Sequence, residues 1–160
     1  MGTRHGDKQG RDKRAHDALY TRVNGERGPF YWLCLYCGEP ADTIEHYPPI
    51  SRIDDYRALG LKHELFVKFP CCGDCNRKAG STLQESVLDR LEFVKDKIAR
   101  QGSRYIAKVE WDDEELEEIG PNLLSKIREN SKKGEVFLRR IEYYAGFDCM
   151  IDWLGEQDEP

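Results

Sequence analysis

The sequence predicts an α+β fold in which a small centre of two short strands is stapled by four cysteines, flanked by helices and followed by a small helical C-terminal extension. Three features carry that prediction. Cys34, Cys37, Cys72 and Cys75 form two C-x-x-C pairs with 34 residues between them. Two short runs suited to strands lie between the pairs, one stopped by a double proline and one running into the second pair. Beyond them, Leu83, Val87, Leu91, Val94 and Ile98 recur on one helical face. A chain of 160 residues with 39% hydrophobic content has room for one domain with an appendage rather than for two full domains.

Taken in order, residues 1–11 are polar and glycine-rich and read as a disordered lead-in. From Asp12, the apolar residues Ala15, Leu19 and Val23 recur every four positions, predicting a short helix closed by Asn24-Gly25. Pro29 opens an apolar run that leads into the first cysteine pair, and Gly38 suits the tight turn of a metal knuckle. Residues 43–47 read as a strand stopped by Pro48-Pro49, 50–64 as a long loop with at most a helical turn, and 65–69 as a second strand. The helix over 81–100 has Ser81 and Gln84 as a capping box and Gly102 as its end. Residues 103–109 form a short strand or turn. Short helices follow over 112–119, 122–129, 135–144 and 147–154, broken by Gly120-Pro121, Gly134 and Gly146.

Two matched C-x-x-C pairs, each beside a glycine or a turn, have the spacing of a structural zinc held by four thiolates. Such a site stabilises a chain whose first half has few long apolar runs. Cys71 is a competing ligand for Cys72, and Cys149 reads as a buried or free thiol. Zinc thiolates imply a reducing compartment. No run approaches the ~18 apolar residues of a membrane span, and the charged N-terminus lacks an apolar signal core. A soluble cytoplasmic protein with no membrane partner is therefore expected.

The net charge of −5 conceals a division along the chain. Residues 1–33 carry 7 Lys/Arg against 4 Asp/Glu, and 77–109 carry 8 against 4. Residues 34–76 carry 4 against 7, and 110–160 carry 6 against 15, so the C-terminal third alone makes the protein acidic. Local charge decides where a phosphate can sit.

Between the cysteine pairs lies Thr43-Ile44-Glu45-His46-Tyr47-Pro48-Pro49, and Asn76-Arg77-Lys78 follows the last cysteine directly. Singly, His46 is an ordinary surface or core histidine, Glu45 a solvated charge and Asn76 a helix-start residue. In this order, segment 34–80 resembles the HNH (ββα-metal) endonucleases, and the adjacency of Asn76 to Cys75 is similar to the zinc-knuckle branch typified by phage recombination endonuclease VII. About a third of the chain carries the resemblance.

The resemblance implies a metal-dependent endonuclease that hydrolyses phosphodiester bonds in DNA, with RNA as an alternative. His46 is then the base that activates water, and Glu45 and Asn76 hold a catalytic Mg²⁺ or Mn²⁺ through oxygen ligands. The four-cysteine zinc fixes the knuckles without touching substrate. Arg77 and Lys78 are expected to hold a phosphate, whereas Arg90, Lys95, Lys97 and Arg100, interleaved with acids, read as a charged helix face. With no second recognition motif, cleavage is expected to be weakly specific or structure-directed. The chain departs from the family in having Glu45 where Asp is commoner, and Val67 where a middle Asn falls; His63 and Glu64 are the nearest polar residues to orient the His46 loop.

The implied organisation is a lead-in over 1–11, a nuclease domain with structural zinc over 12–109 and an acidic helical extension over 110–160, in a bacterial or phage-infected cell. Residues 110–118 carry seven acids around Trp111 and Leu116. The aromatic residues of the extension, Phe137, Tyr143, Tyr144, Phe147 and Trp153, serve either as core or as the surface for a homodimer or protein partner. The rival reading is a non-catalytic zinc module for nucleic-acid or protein interaction, carrying a degenerate HNH site.

Overall fold

A computed structural model of the chain describes residues 16–23, 31–60, 66–106 and 113–157, with the backbone alone at Asp113 and 153–157. The protein is α+β, with a three-stranded sheet in the order β1-β3-β2 and helices around it. β1 (Thr21–Arg22) pairs parallel with β3 (Val67–Cys71), and β2 (Thr43–Tyr47) pairs antiparallel with β3. A 3₁₀ turn (Ile50–Arg52) and α1 (Ile53–Ala58) lie between β2 and β3, and α2 (Gly73–Ala79) leaves β3 at once. α3 (Val87–Ile106), α4 (Asp113–Glu118), α5 (Pro121–Glu142) and α6 (Ala145–Gln157) complete the chain.

The two faces of β2 and β3 differ because strand side chains alternate. Glu45, Tyr47, Val67, Phe69 and Cys71 are buried, while His46 and its cross-strand partner Lys68 are half-buried. The core joins Val67, Phe69 and Cys71 to Leu91, Val94 and Ile98 of α3 and to Phe147 and Met150 of α6. Ile53 and Tyr56 of α1 are also buried, and Tyr47 and Phe66 meet the Tyr56 ring edge-on.

The second strand lies two residues later than the sequence predicts, ending at Cys71 directly before the cysteine pair. The helix expected over 12–23 is present at His16 and Asp17 and then gives way to β1, since Thr21 and Val23 donate to the Phe66 and Lys68 carbonyls; residues 12–15 lie outside the described residues. α3 begins at Val87 rather than at residue 81, and Ser86 rather than Ser81 caps it, its Oγ accepting from the Asp89 N–H at 3.0 Å. The reason lies in the segment between α2 and α3. Gly80, Thr82 and Gln84 give their oxygens to Arg90, so this stretch wraps a guanidinium instead of forming a helical turn.

Two glycines expected to end helices are contact points inside them. Gly102 lies within α3 where an added Cβ would meet the Phe137 side chain at 2.5 Å, and Gly134 lies within α5 where it would clash with the Tyr105 carbonyl oxygen. α3 and α5 thus approach backbone to backbone, and the two helices predicted over 122–129 and 135–144 are one. Phe137 stacks on Tyr105 in this contact and Phe147 is in the core, so these aromatics face inward. Among the described residues no helix is long and apolar enough to cross a membrane.

Gly134→Ala tests this packing. Alanine favours an isolated helix by about 1 kcal/mol, yet the clash is with backbone that cannot rotate away. A net loss of about 1–3 kcal/mol is expected in urea denaturation; a stabilised variant would show that α3 and α5 do not approach this closely.

Candidate metal centre and cavity

Each cysteine pair is placed by a turn that needs no distant partner. Cys37 and Gly38 both donate to the Cys34 carbonyl, at 3.2 and 2.9 Å, and Gly38 takes φ 71°, a conformation that suits glycine. The Tyr143 ring lies where a Cβ on Gly38 would be, so α5 closes over this knuckle. Cys72 is the N-cap of α2, its sulfur accepting from the Cys75 N–H at 3.4 Å. Leu35 donates to the Pro70 carbonyl at 3.1 Å, tying the first knuckle to β3.

The sulfurs of Cys34, Cys37, Cys72 and Cys75 all lie within 4.8 Å of one another, Cys37 and Cys72 at 3.7 Å. Tetrahedral zinc thiolates place sulfurs about 3.8 Å apart, so the donor set fits a structural zinc. Cys34, Cys37 and Cys75 are buried and Cys72 is half-buried. Without a cation four such thiols cannot all ionise, and the approach of Cys34 pushes Cys37 and Cys75 up. Cys71 lies 3.9 Å from the Cys34 sulfur but donates to the Cys72 carbonyl, and it falls outside the four-sulfur group. Cys149 is half-buried.

Two cations, Lys95 buried and Arg140 half-buried, lie beside this centre. Arg140 of α5 approaches the Cys75 sulfur at 3.6 Å and pairs with Asp74 at 2.6 Å. Lys95 of α3, 3% exposed, donates to the carbonyls of Arg140 and Tyr143 at the end of α5, at 2.7 and 2.5 Å. Burial pulls Lys95 down to about 8, with the neighbouring thiols pulling the other way.

Glu45, His46 and Asn76 line one open cavity of about 540 Å³, together with His16, Pro49 and Ser81. Glu45 is 3% exposed, and its Oε1 accepts from both Nε and Nη2 of Arg90, at 2.8 and 2.5 Å. Nη1 of Arg90 donates to the Thr82 carbonyl and Gln84 Oε1, and Nη2 also to the Gly80 carbonyl, so every guanidinium donor is taken. No described group donates to Oε2 of Glu45. Burial pushes the Glu45 carboxyl up, opposed by Arg90.

Asn76 donates through Nδ2 to Thr43 Oγ1 at 3.0 Å and to the Ile44 carbonyl at 3.5 Å, which directs the amide and leaves Oδ1 without a described donor. His46 bonds through Nε2 to Asp17 Oδ1 at 2.7 Å, while Tyr20 packs edge-on against its ring at 4.8 Å. Asp17 also takes Lys68 Nζ on Oδ2 at 2.6 Å. These bonds, from Lys68 first and His46 second, hold its carboxyl below the usual carboxylate range.

Arg77 and Lys78 do not line the cavity. Arg77 points to solvent, 78% exposed with Asp74 at 3.7 Å, whereas Lys78 is spent on Asp74 at 2.5 Å. Arg90 and Lys95, read as part of a charged helix face, are instead buried. His63 and Glu64 lie outside the described residues. No family model, curated protein or solved structure matches this chain.

Two measurements follow from this geometry. Metal analysis should find zinc retained by Cys71→Ser and lost from Cys75→Ala; equal loss from both would redraw the ligand set. Arg90→Met should cost about 3–5 kcal/mol in urea denaturation, because it strands a buried carboxylate. Adding Glu45→Leu should return most of that loss, and a double variant as unstable as the single one would mean that Arg90 acts through the 80–84 segment alone.

Proposed function

We propose that this cavity is the active site of a metal-dependent endonuclease of the HNH (ββα-metal) type, hydrolysing phosphodiester bonds in DNA with low sequence specificity or directed by structure. The observation that carries the reading is the convergence of Glu45, His46 and Asn76 on one solvent-open cavity beside a four-sulfur centre. On this reading the two strands and the helix of the motif would be β2, β3 and α2.

The donor set suits a hard divalent cation. Oε2 of Glu45 and Oδ1 of Asn76, neither engaged by a described donor, would hold Mg²⁺ or Mn²⁺, with water and phosphate oxygens completing the shell. Such an ion, when bound, neutralises charge growing on the phosphoryl oxygens and the leaving alkoxide. His46 takes the proton from water through the ring nitrogen not bonded to Asp17, a role imidazole fills near neutral pH. Arg77, exposed one residue beyond Asn76, is placed to meet phosphate outside the cavity. The zinc centre fixes α2 and with it Asn76.

A second reading draws on the Glu45–Arg90 pair. A carboxylate already neutralised by a guanidinium is a weaker metal ligand, and a non-catalytic zinc module for nucleic-acid or protein interaction keeps this scaffold with a degenerate site.

Supercoiled plasmid separates the two. With Mg²⁺ or Mn²⁺ the protein should nick it, EDTA should abolish nicking, and zinc-replete His46→Ala should fall by roughly 10²–10⁴-fold. Absence of cleavage of plasmid, branched DNA and RNA by zinc-replete protein would leave the binding module as the reading.

A further inference from the structure

The bond between His46 and Asp17 joins residues 29 apart in the chain, and neither of the local features of the HNH-like segment requires it. His46 and Lys68 sit directly opposite each other on β2 and β3, and Asp17, just ahead of β1, places one carboxylate oxygen on each. Lys68 Nζ also reaches the Asp17 carbonyl at 3.3 Å. Asp17 is 45% exposed and His46 19% exposed in their side chains. A pair this open to water contributes little to stability, so its consequence lies in the imidazole.

We propose that Asp17, held in place by Lys68, is the positioning residue that fixes the tautomer of His46. A carboxylate only accepts hydrogen bonds, so the short contact puts the imidazole proton on Nε2. Nδ1 is left as a bare lone pair on a ring that lines the cavity. Lys68 is required because it takes the second oxygen and so leaves the first to His46. Asp17 fills the orienting role for which Val67, at the middle-Asn position, has no polar group. The catalytic consequence rests on the nuclease reading above; the tautomer does not.

The substitution Asp17→Asn turns this into a sharp test. An amide has one acceptor and one donor end, and Lys68 can only donate. The amide oxygen therefore goes to Lys68, and its N–H faces Nε2, driving the imidazole proton to Nδ1. A carboxylate-to-amide change beside a catalytic histidine acts in this way in serine proteases. Removing the ammonium as well, in Asp17→Asn with Lys68→Met, frees the amide to turn its oxygen to His46 and restores the original tautomer.

The readout is the nitrogen-15 shift pair of His46 in full-length, zinc-loaded protein, followed upward in pH until it stops changing so that the neutral ring is read, and assigned by its loss in His46→Ala. Wild type should carry the proton on Nε2, Asp17→Asn on Nδ1, and the double variant on Nε2 again. Plasmid nicking should fall on the order of 10²–10⁴-fold in Asp17→Asn and recover in the double variant. A wild-type proton on Nδ1, which needs no variant to detect, overturns the proposal, as does an Asp17→Asn protein of full zinc content that keeps it on Nε2. If the tautomers follow this series while even wild type cuts nothing, Asp17 stands as the positioning residue and the nuclease reading falls. Full nicking by a protein with the inverted tautomer removes the catalytic consequence.

Discussion

Four sulfurs confined within 4.8 Å are the constraint on which the remaining structure depends. One pair comes from a turn ahead of the sheet and the other from the end of its central strand, so a shared cation fixes the start of β2 and the start of α2 together. Four thiolates around zinc leave two net negative charges, and burial makes those costly unless cations lie close. Arg140 and Lys95 supply them, one against the Cys75 sulfur and the other beside the end of α5. α5 is therefore held to the metal centre by charge and to α3 by the Gly102 and Gly134 contacts. α5 and α6 are less an appendage than a cover over the four-cysteine centre, since Tyr143 at the end of α5 lies against Gly38 and Phe147 and Met150 complete the same core.

The sheet's two faces separate two kinds of chemistry. Alternation along β2 sends Glu45 inward to a guanidinium and His46 outward to a carboxylate, although they are neighbours in the chain. An acid in the core needs a buried cation, whereas a histidine near water needs only orientation. The cavity reaches both because it opens where β2 runs into Pro48-Pro49 and α2 brings Asn76 alongside. Arg90 connects these regions, gripping Glu45 with one edge and the 80–84 segment with the other.

Much of this was legible in the sequence where the signal is local. The Thr43–Tyr47 strand has its predicted bounds because a double proline stops it, and the two C-x-x-C pairs converge as their spacing implies. The features missed depend on long-range contact. β1 is two residues long and exists only because β3 lies beside it, so nothing in residues 12–23 distinguishes it from a helix. Asp17 carries no local mark of its role. Arg90 and Lys95 did leave a signal: position 90 falls three after Val87 and four before Val94, and position 95 four after Leu91, which sets both cations on the inner face. Interleaved acids masked that pattern. Glycine was misread as a helix breaker at 102 and 134 because its cost to a helix is about 1 kcal/mol, less than close backbone packing can return.

The distribution of charge follows from the same packing. Of the basic residues in the C-terminal third, Arg140 turns inward to Asp74 and the thiols, while Glu114, Glu117 and Glu118 of α4 remain exposed. Packing thus withdraws one cation of this region, while Lys126, Arg128, Lys132, Lys133 and Arg139 stay in water with the acids. Arg77, by contrast, stays exposed on α2. The net charge of −5 is therefore a sum over groups of very different exposure: Arg90 is drawn into the core by the Glu45 carboxylate and Lys95 by the carbonyls at the end of α5, while Arg77 stays outside.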